Sequence, residues 1–145
     1  MTYGERLIRE LTGGAWSKTG MYSNLGIRIR SVGVGTVVLE ANPTAAGHGF
    51  PVPGGVIVHG GAVATIADCA LACAAVAAAE EGELATTADL RVEFFRPTRP
   101  GVPVTASGEC RHRTRRLAYC SATLTQDGEV VAEARGTIAF VRAPS

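Results

Sequence analysis

The sequence has almost no excess of charge of either sign, and this excludes partners that need a strong electric field. Its 14 Lys and Arg residues stand against 13 Asp and Glu residues, for a formal net charge of +1. Such a balance provides no basic surface for nucleic acid and none for an anionic membrane. We therefore expect no nucleic acid and no membrane among its partners, and predict a small neutral or anionic ligand.

Closely set cysteine pairs are missing as well. Cys69 and Cys73 could share a helical face, but no second pair at zinc-like spacing accompanies them, and Cys110 and Cys120 stand apart. No signal peptide is recognisable at the N-terminus. We therefore expect buried, reduced thiols, no disulfide framework, no metal site and a cytoplasmic protein.

The sequence also lacks internal repeats, low-complexity tracts and a second linker, which favours one domain. A chain of 145 residues, 46% of them hydrophobic, can bury a core of its own. We predict a single domain over residues 1–145, with a helical segment at 1–14 and a core at 25–141. Thr2 and Glu5 have the spacing of a capping box, which predicts the start of the N-terminal helix.

What the chain does have is a long apolar run that contains one charge. From Gly61 to Ala79 nearly every residue is Ala, Val, Ile, Leu or Cys, and Asp68 is the single charged residue. The pattern predicts a helix that is apolar on all sides, too short and too rich in alanine to span a membrane. A carboxylate in such surroundings is costly unless it is paired, and its pKa tends to rise. Asp68 is therefore a candidate catalytic group, and the alternative is a structural Asp bonded to Thr65 or to a partner backbone.

Strand patterns flank this helix on both sides. Six runs predict strands, and they cover residues 25–30, 35–40, 86–96, 102–110, 117–124 and 130–141. Asp127-Gly128 predicts a hairpin turn, and residues 41–58 predict an irregular loop that leads to His59. Short connections require a mainly antiparallel sheet, so the chain is predicted to be an α+β protein with one sheet on one buried helix.

Two further expectations follow from these patterns. Along the strand predicted at 86–96, alternation places Ala88 and Leu90 on one face, and Thr87 and Asp89 on the opposite, charged face. A single sheet covers only part of a helix this apolar, so a second copy of the chain should bury the remainder. We therefore predict a homo-oligomer.

Three motif segments resemble those of a known enzyme family. They are His59-Gly60-Gly61 with Asp68 nine positions after the histidine, Thr87 to Pro97, and Arg115 to Tyr119. With these segments, residues 25–141 resemble the hotdog-fold acyl-CoA thioesterases of the PaaI-like (phenylacetate-pathway) branch, in the 4-hydroxybenzoyl-CoA thioesterase superfamily. The resemblance implies a hotdog fold, which is a curved antiparallel sheet wrapped around one long central helix, here with a short N-terminal helix added. It also implies a homodimer or homotetramer with active sites at subunit interfaces.

The resemblance further implies a reaction and the residues that perform it. The reaction is hydrolysis of an acyl-CoA thioester, with coenzyme A as part of the substrate and no metal or redox cofactor. Asp68 would act as base on water or as nucleophile, and Gly60 would donate its backbone N–H to the thioester oxygen. His59 would support the turn, Thr87 would help to position water, and Arg115-Arg116 would contact the CoA nucleotide.

One position departs from the family pattern. Many relatives carry Asn or Gln about six residues before the histidine, and here Pro53 takes that place. His48 is a candidate substitute for the missing polar group. Pro53 also supports an alternative function, a hotdog protein that binds acyl-CoA without turnover. A hydratase would need an Asp and a His together on one short loop, and that pairing is absent from the sequence.

Helix geometry favours a site shared between subunits without reference to the family. Free N–H groups at a helix N-terminus stabilise an oxyanion, and Gly60 and Gly61 would leave such groups accessible. The alternative for the two glycines is a tight turn with no further role. Asp68 lies two helical turns, about 10 Å, beyond Gly61, too far for one small reacting group to touch both. We therefore predict that Gly60 and Asp68 of one active site come from different subunits.

The remaining candidates each have a structural alternative. His59 could be a general base but is expected to orient the turn, and Thr87 could be an ordinary strand residue. Three arginines suit CoA phosphates but could equally form a solvated edge, namely Arg113, Arg115 and Arg116. Further candidates for the substrate-binding surface are Gly61, Thr65, His48, and four apolar residues that could equally be core, Phe50, Val52, Phe94 and Phe95.

Overall fold

A six-stranded antiparallel sheet packs around one long helix in the computed structural model, which describes residues 1–142. The helices are α1 (Tyr3–Gly13), α2 (Ala15–Lys18), α3 (Gly20–Asn24), α4 (Ala45–His48) and α5 (Gly60–Ala77). The strands are β1 (Arg28–Gly33), β2 (Thr36–Ala41), β3 (Gly49–Val52), β4 (Gly55–Val58), β5 (Glu83–Phe94), β6 (Val104–Arg113), β7 (Leu117–Gln126) and β8 (Glu129–Arg142). The predicted α+β architecture is therefore confirmed.

The main sheet has the strand order β1-β2-β6-β7-β8-β5, and every neighbouring pair is antiparallel. The crossover through α5 places β5 beside β8 at one edge, whereas β1 forms the other edge. Asp127 and Gly128 join β7 to β8 with φ values of 48° and 78°, as a type I′ turn requires. The hairpin predicted at Asp-Gly is thus confirmed, and β5 is left as an edge strand.

The core helix α5 packs on five of the six strands of the main sheet. Gly108 of β6 allows a close approach, because a Cβ there would lie 2.4 Å from the carbonyl oxygen of Ala70. The helix is long and apolar enough to cross a membrane, with a mean hydropathy of 1.7, but 61% of that segment is buried within the fold. It is the core helix, as its apolar composition predicts.

One face of α5 stays partly uncovered within the described chain. Gly61 is exposed, and Thr65, Asp68 and Ala72 are half-buried, whereas most other residues of the helix are buried. Their spacing of four, three and four residues aligns them along one side of the helix. We call these four residues the open stripe. It is the part of the helix that the sheet does not reach.

The N-terminal helix is confirmed together with its cap. The Thr2 side chain accepts a hydrogen bond from the Glu5 backbone N–H at 3.2 Å, and the Glu5 carboxylate accepts one from the Thr2 backbone N–H at 2.8 Å. The short helices α2 and α3 follow and were not predicted. Because α3 extends to Asn24, the first strand begins at Arg28 rather than at Leu25.

The prediction of an irregular loop over residues 41–58 is wrong. The segment contains α4 and a two-stranded hairpin formed by β3 and β4. Pro53 and Gly54 make the turn of this hairpin, with Gly54 at a φ of 88° that suits the third position of a type II turn. The glycines and prolines that suggested irregular chain are therefore turn residues.

The predicted alternation along β5 is correct from Asp89 and Leu90 onward but wrong for Thr87 and Ala88, because the strand contains a β-bulge. Thr87 pairs with Ile138 and Asp89 pairs with Thr137, so Ala88 is an extra residue with no partner in β8. The bulge reverses the alternation, as an inserted residue must. Thr87 consequently lies on the inner face with the buried Ile138, and Ala88 is exposed.

Candidate active site

A carboxylate and a hydroxyl meet on the open stripe of α5. The Thr87 Oγ1 donates a hydrogen bond of 2.7 Å to the Asp68 Oδ1. Both side chains are half-buried, so the carboxylate is held in place and remains reachable. The β-bulge at Ala88 makes this contact possible, because it turns Thr87 towards the helix. An oriented, partly accessible carboxylate can take a proton from water or attack a carbonyl carbon.

Thr65 does not hold Asp68. Its hydroxyl donates to the Gly61 carbonyl oxygen at 2.9 Å, one helical turn earlier. This local bond is common for threonine within a helix. The alternative in which Thr65 fixes a structural Asp68 is therefore wrong, and Thr87 from the neighbouring strand takes that place.

The His59 side chain caps the N-terminus of α5. Its Nδ1 accepts a hydrogen bond of 2.8 Å from the Gly61 N–H, and its carbonyl oxygen accepts from the N–H groups of Ala62 and Val63 at 2.9 and 3.2 Å. The expectation that the Gly61 N–H is free is therefore wrong. Within residues 1–142 the Gly60 N–H has no partner, which leaves one donor at the positive end of the helix.

His48 braces the same turn from behind. Its carbonyl oxygen accepts a hydrogen bond of 2.8 Å from the His59 N–H. The His48 ring accepts from the Thr44 N–H at Nδ1 over 2.9 Å, and its Nε2 therefore donates to the Asn24 Oδ1 over 2.7 Å. Both ring nitrogens are engaged in the described chain, so His48 links α3 and α4 to the start of α5.

Two exposed aromatic side chains lie at the start of α5. The Phe50 ring meets the His59 ring edge to face at a centroid distance of 5.7 Å. The Phe94 ring lies so close to Gly60 that a Cβ there would be 3.7 Å from it. Phe50, Phe94 and Phe95 are 49%, 54% and 52% exposed, so none of the three belongs to the core.

The two polar features are separated along α5. Gly60 begins the helix and Asp68 follows eight residues later without a break. At a rise of 1.5 Å per residue, their Cα atoms lie about 12 Å apart. One chain therefore presents a donor and a carboxylate that cannot both touch the same carbonyl group.

The arginines at the turn between β6 and β7 differ in their exposure and contacts. Arg115 and Arg116 are exposed, in a turn where the Thr114 Oγ1 accepts from the Leu117 N–H at 3.1 Å. Arg113 is not free, because it donates to both carboxylate oxygens of Glu83 at 3.1 and 3.2 Å. Neither interpretation of Arg113 from the sequence, as phosphate ligand or as solvated edge, is therefore correct.

The half-buried Arg113 and the buried Glu83 form a clamp at the end of α5. Arg113 also donates to the Ala78 carbonyl oxygen at 2.9 Å and lies 3.9 Å above the centre of the Phe140 ring. Burial alone would raise the pKa of Glu83, but hydrogen bonds from Arg113 and the Glu80 backbone, with the charge of Arg142, hold the pKa below its usual value. The clamp ties the helix end to β5 and β6.

This clamp should make stability depend on pH. Because folding lowers the pKa of Glu83, its stabilising contribution is complete above the unfolded pKa and is lost as pH falls through the folded pKa. We expect Glu83→Gln to lower the free energy of unfolding by about 3 kcal/mol near pH 7 and by clearly less near pH 3.5 in urea titrations. Glu10→Gln, at an exposed position of α1, is the control. An equal cost of Glu83→Gln at both pH values would contradict the role of the pair.

Comparisons with known proteins agree with this fold. A profile of the thioesterase superfamily matches residues 55–133, more than half of the chain. A phenylacetic acid degradation-related protein from Ralstonia eutropha JMP134 is 28% identical with a TM-score of 0.78, over 95% of this chain and 99% of its own. The similarity therefore extends well beyond the matched segment, to the N-terminal helices.

More distant structures share the same architecture. The PaaI protein from the E. coli phenylacetic acid degradation operon is 22% identical with a TM-score of 0.80, over 97% of this chain and 96% of its own. A thioesterase from Haemophilus influenzae is 20% identical with a TM-score of 0.78, over 98% of this chain and 93% of its own. These likenesses confirm the hotdog fold. No curated protein matches the sequence significantly.

Proposed function

Because the chain belongs to the thioesterase superfamily, we propose that it hydrolyses an acyl-CoA thioester to the free acid and coenzyme A. The observation that carries this proposal is the Asp68–Thr87 pair, a polar contact on the open stripe of an otherwise buried helix. A carboxylate at that place is costly without a partner, and in the described chain Thr87 supplies one. The resemblance assigns the catalytic carboxylate to Asp68. The proposed role of this residue therefore agrees with its position on the open stripe.

In the proposed reaction, the Gly60 N–H donates to the thioester carbonyl oxygen. Asp68 then either accepts a proton from a water molecule that attacks the carbonyl carbon, or attacks that carbon itself. In both cases the carbonyl oxygen becomes an oxyanion, which the N–H and the helix N-terminus stabilise, before the CoA thiolate leaves. Attack by water gives the free acid directly, whereas attack by Asp68 leaves an acyl anhydride on the carboxylate, which a water molecule then hydrolyses to the free acid and regenerated Asp68. Thr87 is a positioning residue that holds one carboxylate oxygen so that the other faces the reactants. The scheme uses water and groups of the chain, without a metal or redox cofactor.

We further propose that each site combines Gly60 of one subunit with Asp68 of another. The observation behind this is the free edge of β5, a strand of 12 residues paired on one side with β8. Such an edge is well suited to pair with a second copy. Two-fold pairing of the same strand runs antiparallel, so the two α5 helices point in opposite directions and one N-terminus approaches the partner's open stripe.

The edge strand carries residues of both halves of the proposed site. Thr87 binds Asp68 at its middle, and Phe94 at its end lies beside Gly60. Pairing along β5 would therefore bring each aromatic surface towards a carboxylate of the other copy. A homodimer, alone or as half of a homotetramer, satisfies this arrangement. Sedimentation that showed a stable monomer at micromolar concentration would remove it.

The exposed turn at Arg115 and Arg116 is proposed to hold the phosphates of CoA. Changing both to Gln should raise KM about tenfold and leave kcat unchanged, because the contact is made equally in the ground and transition states. The KM of the wild type should also rise with ionic strength. Arg9→Gln, an exposed arginine on α1, is the matched control. An unchanged KM in the double variant would place CoA elsewhere.

For the acyl chain, we propose the exposed aromatic surface next to Gly60. Phe94 lies beside the proposed oxyanion donor, and Phe50 lies against the His59 ring that caps the same turn. An apolar acyl group bound there would cover surface that is otherwise left to water. His59 and His48 would then act as positioning residues, since they fix the turn that presents Gly60.

The function is tested with a panel of acyl-CoAs and a thiol-reactive dye that reports released CoA. The chain has four cysteines of its own that can react with the dye. Each reaction therefore needs a blank that contains the same amount of enzyme and no acyl-CoA. Release of CoA well above the blank for at least one acyl chain is expected. No release from any member of the panel would overturn the proposal.

Binding without turnover is the second candidate, and Pro53 is the observation that favours it. The residue lies in the exposed turn between β3 and β4, and proline offers no side-chain donor for a reacting carbonyl. Saturable acyl-CoA binding by calorimetry, together with no CoA release, would select this function.

The four cysteines are free thiols in the structure, and free thiols fit a reducing compartment such as the cytoplasm.

A further inference from the structure

Cys110 and Cys120 lie directly opposite each other on neighbouring strands. The register of β6 and β7 pairs the two residues, and both side chains are on the inner face of the sheet. Cys120 is buried in the core, and Cys110 is partly buried against it. Although separated by nine residues in the chain, the two sulfurs are therefore neighbours in the fold.

Backbone hydrogen bonds show which kind of pair this is. The Cys110 N–H donates to the Gly35 carbonyl oxygen at 2.7 Å, so at this residue the backbone polar groups point to β2 and away from β7. Counting pairs from the turn agrees. The Thr114 N–H donates to the Leu117 carbonyl oxygen at 2.7 Å, and the paired positions alternate from there through His112 to Cys110, with Arg111 as an unpaired bulge residue between them. Cys110 and Cys120 are thus a non-hydrogen-bonded antiparallel pair, the closer of the two kinds.

The spacing of such a pair is compatible with a disulfide. Non-hydrogen-bonded partners have Cα atoms about 4.5 Å apart, which lies within the Cα range of disulfides, although near its short end. By contrast, Cys69 and Cys73 are one turn apart on a continuous helix, where both are buried. The chain therefore has one pair of cysteines placed for a bond between strands.

We propose that Cys110 and Cys120 form a reversible disulfide modification site, closed by thiol exchange with a small disulfide such as glutathione disulfide. Cys110 is half-buried and Cys120 is 4% exposed, so Cys110 is the thiol that an oxidant reaches. The Cys110 thiolate attacks one sulfur of glutathione disulfide and releases one glutathione. The Cys120 thiolate then attacks the Cys110 sulfur and releases the second. Two protein thiols and one glutathione disulfide thus become one protein disulfide and two glutathione molecules.

Burial affects the rate of this exchange. It raises the pKa of the Cys120 thiol to about 12 and also raises the pKa of Cys110. Since the thiolate is the reacting form, closure should be slow at neutral pH and faster in alkaline buffer. Once closed, the bond would fix the base of the hairpin that carries the arginine turn, and it would restrict the unfolded chain.

The folded protein is tested in glutathione buffers of increasing oxidised fraction, quenched with acid, alkylated and digested with trypsin. Arginines between the two cysteines are cleaved, so only a disulfide can hold the Cys110 and Cys120 peptides together. We expect that linked pair within one chain, the loss of two of the four thiols, and a Tm about 5 °C higher than in the reduced form. Dithiothreitol should reverse all three changes.

Variants separate the two steps. Cys120→Ala should stop at a mixed disulfide between glutathione and Cys110, whereas Cys73→Ala should close the bond as the wild type does. The proposal is overturned if all four wild-type thiols remain alkylatable in strongly oxidising buffer. It is equally overturned if wild-type Cys110 keeps its glutathione, or if the linked peptides come only from disulfides between chains.

Discussion

Replacing Asp68 with Asn is expected to lower kcat about a thousandfold, with little change in folding. Asparagine keeps the shape of the side chain and can still accept the 2.7 Å hydrogen bond from Thr87, but it can neither take a proton from water nor attack a carbonyl carbon. The loss should be the same across the acyl-CoAs that the wild type hydrolyses. The change in kcat is measured from CoA released in samples quenched at fixed times, and the Tm serves as a check on folding.

The control for this prediction is Asp127→Asn. Asp127 lies in the exposed turn between β7 and β8 at a φ of 48°, a conformation that asparagine tolerates as well as aspartate. It therefore makes the same chemical change at a carboxylate outside the proposed site. If the Asp68 variant hydrolysed as fast as the control, the carboxylate would have no part in the reaction.

The second large effect is expected from removing one backbone N–H. Proline at position 60 deletes the proposed oxyanion donor at the first position of α5, where proline is well tolerated. His59 already has the extended ψ of 136° that suits a residue before proline. We expect Gly60→Pro to lower kcat by about 100-fold to 1,000-fold, the range known for the loss of an oxyanion donor.

Alanine at the same position isolates the N–H from the side chain. Gly60→Ala retains the donor, and its Cβ would meet the Phe94 ring at an ordinary 3.7 Å. Its kcat should therefore stay well above that of Gly60→Pro. Equal losses in both variants would mean that the glycine is needed for space and not for its N–H.

The fold could be predicted from the sequence because its main signals are local and periodic. Alternating runs define the strands of the main sheet, Asp127-Gly128 defines a turn, and the apolar segment after Gly60 defines the helix. The hairpin around Pro53 could not be predicted, because the glycines and prolines of its turn are equally common in irregular loops.

Side-chain partners were harder to predict because they depend on contacts between distant segments. A bulge at Ala88 turned Thr87 towards Asp68, and no feature of the sequence marks that extra residue. Glu83 lies within a polar segment that suggests solvent, yet it is 4% exposed and paired with Arg113, 30 residues away. A polar residue shortly after a helix can therefore be buried, because a cation from another strand can pair with it.

Mixing two inactive variants shows whether each site is built from two subunits. Asp68→Asn and Gly60→Pro chains carrying different tags are purified, mixed in equal amounts, dissociated and reassociated. In a mixed dimer, one site receives intact Gly60 and intact Asp68 from different chains, and the other site receives both defects.

Activity is expected to reappear on mixing, at about a quarter of the wild-type value, because half of the dimers are mixed and half of their sites are intact. The mixed species, isolated through both tags, should carry all of that activity. If the isolated mixed dimer is no more active than its two parents, Gly60 and Asp68 act within one chain and the shared site is refuted.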